Sequence, residues 1–426
     1  MREDLLQYIW CDGKLTPEAL YSTGGDSISI VHPGNLNSLS GPDFLNARLL
    51  INSQEWAGNI EIHIRSSDWY VHHHDTDTSY DNVILHVVWD EDCTIFRQDG
   101  SAIPALQLKE YVSKSVLDNY HRLFRKQDKK TINCERDVQT VATSLVNHWL
   151  DTLFYKRICE KSALVNKLLV ETSNDWEKVF FMVLLKSFGL NYNGDSFLSL
   201  AAAINFSIVR KIAKKTLQLE SVFFGLSGLL NDTNCEDPYF FELQNEYQFL
   251  KSKFNLKEDP VFAPDFVKLR PDNFPTVRLS QMASLYGQHP AIFDKVIKSN
   301  SVIELRALFQ IKASSYWDTH FTFGKPSAQR AKKLSQVFID LMILNAVLPV
   351  KYSYAVNRGE DNSNVLNKIA SAIRSEHNGI IRKMEKAGFV STSAHDSQAL
   401  LHLYNKYCTK NKCLQCDIGD HLLRGK

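Results

Sequence analysis

The hydrophobic pattern changes character once along the chain. Residues 1–10 set Leu5, Leu6, Ile9 and Trp10 on one face at the spacing of a short amphipathic helix. Between residues 20 and 110 the period falls to about two, the period of half-buried strands. Strands are predicted at 27–31, 44–51, 60–64 and 82–89 (NVILHVVW), with short edge strands at 93–96 and 106–108. Gly24-Gly25, Pro33-Gly34, Gly41-Pro42 and Asp99-Gly100 punctuate them as turns. From residue 111 helical spacing takes over, in VNHWLDTLFYKRICEKSALVNKLLV, DWEKVFFMVLLKSFGL, SIVRKIAKKTLQLESVFFGLSGLL and SQVFIDLMILNAVLPVKYSYAV. A Pro-rich loop is expected at 262–276. The pattern predicts an α/β domain over residues 1–110, a mixed sheet flanked by helices, followed by a large mainly α-helical domain over 111–426.

Composition narrows the class. The chain has 426 residues, 44% of them apolar and 23% charged, with 18 Gly and 12 Pro, which excludes a disordered or collagen-like chain. No run approaches 18 consecutive apolar residues and the first residues lack the make-up of a signal peptide. The expectation is a cytoplasmic protein with no membrane partner. Eight cysteines are too few for a disulfide scaffold of this size, so a cluster of them points to metal.

The net charge of +1 conceals an asymmetry: residues 1–110 carry −11 and residues 111–426 carry +12, and six of the 14 histidines precede residue 90. An acidic, histidine-rich front and a basic remainder suit a metal centre beside a phosphate-binding body, and equally suit two domains docked by charge.

The stretch GPDFLNARLLINSQEWAGNIEIHIRSSDW, residues 41–69, carries the candidate chemistry. Glu61 and His63 lie two apart in one predicted strand and share a face. A hairpin turning at Asn52-Ser53 brings Asp43 nearly opposite Glu61, where cross-strand Cβ atoms are about 4.5–5.5 Å apart. Two carboxylates at that separation can share a hard divalent cation, Mg²⁺ or Mn²⁺. His63 then stands beside the metal, placed to position or deprotonate a water.

Pro42-Asp43, 17 residues, then Glu61-Ile62-His63 resembles the signature of the PD-(D/E)XK nuclease superfamily. The resemblance implies a restriction-endonuclease-like fold and Mg²⁺-dependent cleavage of DNA or RNA. It makes Asp43 and Glu61 metal ligands, with the Ile62 carbonyl as a third. His63 takes the position usually held by Lys, a departure, because neutral imidazole lacks the fixed positive charge. It also implies that the segment DWYVHHHDTDTSYDN contacts phosphate or metal-bound water, with His72, Asp75 and Tyr80 as candidates. His86 is expected to be a hydrogen-bonded core residue, and His32 is a further site candidate. The longer pattern, from GPDFLNARL through NVILHVV to YCTKNKCLQCDIG, resembles an uncharacterised bacterial family, a domain of unknown function, over nearly the whole chain.

Cys408, Cys413 and Cys416 fall within nine residues, with the CxxC spacing of a zinc knuckle. A fourth ligand is expected from His402, His421, Cys11 or Cys134. Structural zinc is the first reading and an iron–sulfur cluster the second; some nucleases of the resembled superfamily clasp such a cluster between one upstream and three C-terminal cysteines. Basic stretches at 122–130, 209–215, 268–278, 325–333 and 378–386 supply candidate phosphate contacts, with Arg65, Arg270 and Arg278 foremost and Phe274 and Trp317 as stacking residues. Two alternatives to a nuclease remain. One is an inactive nuclease fold that binds nucleic acid or protein. The other is a different hydrolase whose metal, Zn²⁺ or Mn²⁺, sits on the histidines of 72–74.

Overall fold

Alternating strands and tight turns produce one seven-stranded mixed sheet near the N-terminus. The computed structural model describes residues 1–11, 15, 19–125, 131–256 and 260–425. The strands are β1 (Leu20–Tyr21), β2 (Ser27–His32), β3 (Asn35–Leu36), β4 (Phe44–Ile51), β5 (Gln54–Arg65), β6 (Val83–Asp90) and β7 (Ala105–Gln107). Their order is β1-β2-β4-β5-β6-β7, with β3 also paired to β4. β4 is antiparallel to β2 and β5, whereas β5, β6 and β7 run parallel. The expected strand at 93–96 is reduced to a single bridge between Phe96 and Ala102.

The β4–β5 hairpin turns at Asn52 and Ser53, both with positive φ (49° and 66°), the conformation of a two-residue hairpin turn. Pairing runs from Ile51↔Gln54 to Ala47↔Gly58, then jumps to Phe44↔Ile60. The extra residue belongs to a bulge at Asn46, which takes a left-handed φ of 58° that Asn tolerates. An unbroken ladder would set Asp43 across from Ile62; the bulge brings it level with Glu61. Because strand faces alternate, that one-residue slip decides which side of the sheet the Asp43 carboxylate joins.

β5 and β6 align Glu61 with His86 and His63 with Val88, so all three polar side chains lie on one face. Val83–Val88 is buried throughout, which explains why β6 reads as a near-continuous apolar run. Helix α1 (Glu3–Cys11) buries Leu5, Leu6, Tyr8, Ile9 and Trp10 and packs against β5 and β6. The β5–β6 connection holds the one-turn helix α2 (Asp68–Val71) and 3₁₀ turns at His74–Thr76 and Thr78–Tyr80.

Two compact units account for the chain. One comprises Met1–Trp149, Lys383–Phe389 and Leu403–Lys426; the other comprises Leu150–Arg382 and Val390–His402. The sheet-bearing unit therefore reaches past residue 110. It takes in α3 (Lys114–Phe124) and the last helix, Asp417–Arg424, which pack together, with Asn119 Nδ2 donating to the Leu423 carbonyl at 3.1 Å.

The other unit is helical around a core that includes Phe180, Phe181, Phe188, Phe197, Phe223, Phe224 and Tyr286. The loop expected at 262–276 ends early, because helix Pro275–Gln288 begins with Pro in its first turn. Residues Gln336–Asn357 are long and apolar enough to cross a membrane by composition, and 67% of that window is buried inside the unit.

Candidate functional site

The bulge at Asn46 and the parallel β5–β6 register converge on one buried polar cluster. The Asp43 N–H donates to Glu61 Oε2 at 3.0 Å, and the Asp43 carboxylate accepts from the Ile62 N–H (3.2 Å) and from Gln7 Nε2 on α1 (2.9 Å). Ile62 thus meets Asp43 through its N–H. Burial, then the neighbouring charge of Glu61, pushes the Asp43 carboxyl up to about 7. Two buried carboxylates with no cation between them disfavour double ionisation, and a divalent cation would relieve that strain. Burial also raises Glu3 of α1, whose charge is felt by His72, Asp68, Glu61 and His74.

The histidines close the cluster. Glu61 Oε1 lies 3.5 Å from His63 Nε2 and 3.4 Å from His74 Nε2. His63 Nδ1 faces His86 Nε2 at 2.9 Å, and His63 Nε2 faces His72 Nδ1 at 3.1 Å. Ligand atoms of His63, His72 and His74 all lie within 4.8 Å of one another. His74 stacks on Tyr80 with centroids 3.8 Å apart, and Trp69 meets His74 and His86 edge-on. His73 takes a left-handed φ of 60° and is exposed, which leaves its neighbours His72 and His74 to face one centre. Burial lowers His63 to about 2, reinforced by His86, His74 and His72; burial lowers His86 to about 3, reinforced by His74. Both rings are neutral at physiological pH.

The sequence-predicted residues separate on this geometry. Asp43, Glu61, His63, His72 and Tyr80 come together, and His86 is in the core as expected but hydrogen-bonded to His63. Of the two roles expected of His63, positioning or deprotonating a water, its geometry favours positioning: both ring nitrogens face other histidines and the residue is 1% exposed. Asp75 is half-buried and Arg65 exposed beside the strand end. His32 spends Nδ1 on the Gly34 N–H at 3.0 Å. The reading from sequence missed Glu3 and Gln7, and reached His74 only through the alternative that sets a metal on the histidines of 72–74.

In the helical unit, Arg270 lines a cavity of about 740 Å³ with Lys161, Lys186, Lys268 and Asn273. Lys161 is lowered to about 7 by burial, then by Arg157, and its Nζ donates to Asn345 Oδ1 and Gln398 Oε1, both at 2.7 Å. Arg278 is an interior residue: its guanidinium donates to Gln281 and Asn273 and lies 3.5 Å from the Phe338 ring centroid. It does not present charge to a phosphate backbone. Trp317 is fully buried, and so is not a stacking platform; Phe274 packs edge-on against Phe266. Lys332, in the 325–333 stretch, is buried with Nζ donating to the Asp318 carbonyl. Residues 126–130 of the first basic stretch lie outside the described residues.

Of the proposed fourth partners for the C-terminal cysteines, Cys134 is the one brought in. Cys134, Cys408, Cys413 and Cys416 line one small, enclosed, mainly apolar cavity with Asn133, whose Nδ2 contacts Cys413 Sγ at 3.3 Å. Cys11 is exposed, and His402 belongs to the other unit. Burial raises all four thiols, Cys416 to about 11, and neighbouring cysteines add to it at Cys134, Cys408 and Cys416. Four sulfurs around one cavity, from buried Cys416 and half-buried Cys134, Cys408 and Cys413, form a donor set that fits a thiophilic ion or cluster, whose charge would reverse that shift.

A protein-family model matches residues 3–379, nearly the whole chain. No curated protein and no solved structure matches it.

Proposed function

The chain belongs to the family described as a protein of unknown function (DUF2851), and for it we propose metal-dependent hydrolysis of phosphodiester bonds in nucleic acid, on a restriction-endonuclease-like fold of the PD-(D/E)XK type. The observation that carries this reading is the buried Asp43–Glu61 pair, brought level by a strand bulge.

Asp43 and Glu61 would hold the cation, which when bound polarises the phosphate and acidifies its water. Gln7 and the Ile62 N–H fix the Asp43 carboxylate, and the Asp43 N–H fixes Oε2 of Glu61. His63 orients the other Glu61 oxygen, and His72, exposed at the rim, is the group able to exchange protons with solvent. The +12 charge beyond residue 110 supports a polyanionic partner. The four cysteines would hold structural zinc or an iron–sulfur cluster, away from the chemistry.

The test is cleavage of labelled single- and double-stranded DNA and RNA with Mg²⁺ or Mn²⁺, wild type beside Glu61→Ala. Metal-dependent cleavage lost in the variant supports the reading; no cleavage by wild type across pH 6–9 sinks it. A second reading, a fold retained as a binding module, is favoured by the locked His63 ring in place of a Lys. It calls for nucleic-acid binding without turnover in the same assay.

A further inference from the structure

We infer that the ion of this site is a nitrogen-preferring divalent metal, zinc in the first place, held by Glu61, His63, His72 and His74 rather than by oxygen ligands alone. The inference rests on the proposed metal-dependent reading and names its metal.

The spacing of the donor atoms carries it. A tetrahedral shell with bonds of about 2.0–2.1 Å has ligand–ligand edges of roughly 3.3–3.4 Å. Glu61 Oε1 to His74 Nε2 is 3.4 Å, Glu61 Oε1 to His63 Nε2 is 3.5 Å, and His63 Nε2 to His72 Nδ1 is 3.1 Å. Three edges of such a shell are already formed. Only Oε1 of Glu61 faces the histidines, since Oε2 accepts from the Asp43 N–H, so Glu61 offers one oxygen.

The surroundings hold these donors in place. A ligating histidine usually donates its other N–H to a fixed acceptor. His63 Nδ1 has that acceptor in His86 Nε2 at 2.9 Å. Stacking on Tyr80 and the edge of Trp69 fix the plane of His74. The donor set also selects the metal. Mg²⁺ prefers carboxylates, waters and phosphate oxygens in an octahedron, whereas imidazole suits zinc and its neighbours. Asp43, which the proposed reading sets on the cation with Glu61, has its carboxylate turned to Gln7 and Ile62, so the histidines supply the donors that choose the metal. The competing account is a hydrogen-bonded histidine network with no metal.

The test is metal binding by the full chain, read by calorimetry and by metal content after dialysis against Zn²⁺, Mn²⁺ or Mg²⁺. Whatever the cysteines hold is common to every variant, so the histidine site is the difference between proteins. His74→Ala and Glu61→Gln are expected to bind one equivalent of zinc fewer than wild type. His86→Asn is expected to weaken the site by about 10–100-fold through its partner. His72→Ala, altered at an exposed ring, keeps the test valid if His74→Ala fails to fold. Unchanged zinc content in both His72→Ala and His74→Ala, or full displacement by millimolar Mg²⁺, overturns the inference. Zinc bound at the histidines with no cleavage under any metal would instead overturn the nuclease reading and leave this one standing.

Discussion

The backbone amide of Asp43 donates to Oε2 of Glu61 at 3.0 Å, across a strand pair that slips by one residue between Ala47 and Phe44. Asn46 takes up that slip. Deleting Asn46 would remove the extra residue and leave an unbroken ladder in which Leu45 faces Asn59 and Asp43 still faces Glu61. Such a protein is expected to keep its circular dichroism and its metal-dependent cleavage. Asn46→Val keeps the length but places a β-branched residue at positive φ, and is expected to cost about 1–2 kcal/mol in urea unfolding. A deletion variant without cleavage would show that the bulge does more than keep Asp43 level with Glu61.

Asp43 keeps its proton to about 7, raised by burial and then by Glu61. A cation favours the ionised carboxylate, so it competes with that proton. Metal-dependent cleavage is therefore expected to rise with pH and level off above about 7. In Asp43→Asn residual cleavage is expected to lose that ascending limb. A pH–rate profile at fixed, subsaturating metal reads both.

His63 and His86 have the opposite sign. Burial lowers them to about 2 and about 3 from 6.5, so the folded chain holds neutral rings while the unfolded chain takes up protons. Their neutral forms are matched above 6.5, and stability is lost as pH falls below that value toward 3. The slope is about 1.4 kcal/mol per pH unit per histidine. Asp43 opposes it between about 7 and 4, gaining stability as pH falls, so two histidines against one carboxyl leave a net loss on acidification. Urea unfolding at pH 7, 6 and 5 measures the slope, which His86→Leu is expected to bring close to zero, one histidine then offsetting one carboxyl.

The hairpin, the parallel closing strand and the helical remainder were legible because their signals are local. Alternation marks β4, turn chemistry marks Asn52-Ser53, and a buried apolar run marks β6. The Asp43–Glu61 pairing was legible in outcome but not in cause, since nothing short of the register shows that Asn46 bulges. Glu3 and Gln7 were hidden because helix packing brings α1 to the sheet, and no spacing in sequence encodes that. Charge counting misjudged Arg278 and Lys332, whose long side chains are spent inside the helical unit. The same limit applied to Cys134, one of several partners open to the C-terminal cysteines until tertiary packing brought it to their cavity.

That cavity also adjoins α1. The turn Cys413–Gln415 packs on α1, and Cys413 feels the charges of Arg2 and Asp4. One turn further along the same helix, Gln7 holds Asp43. A metal on the four thiols would therefore clamp the C-terminal segment against the helix that orients the acidic site. Cys416→Ser is expected to lose bound metal, and to lower the unfolding temperature by roughly 2–4 °C for each kcal/mol of clamp removed. Cleavage is expected to fall with it while the zinc difference between wild type and His74→Ala persists, because the histidines do not depend on Gln7. Metal content, thermal unfolding and cleavage measured on one preparation distinguish the outcomes. Full cleavage by a metal-free Cys416→Ser protein would show that α1 keeps Gln7 in place without the clamp.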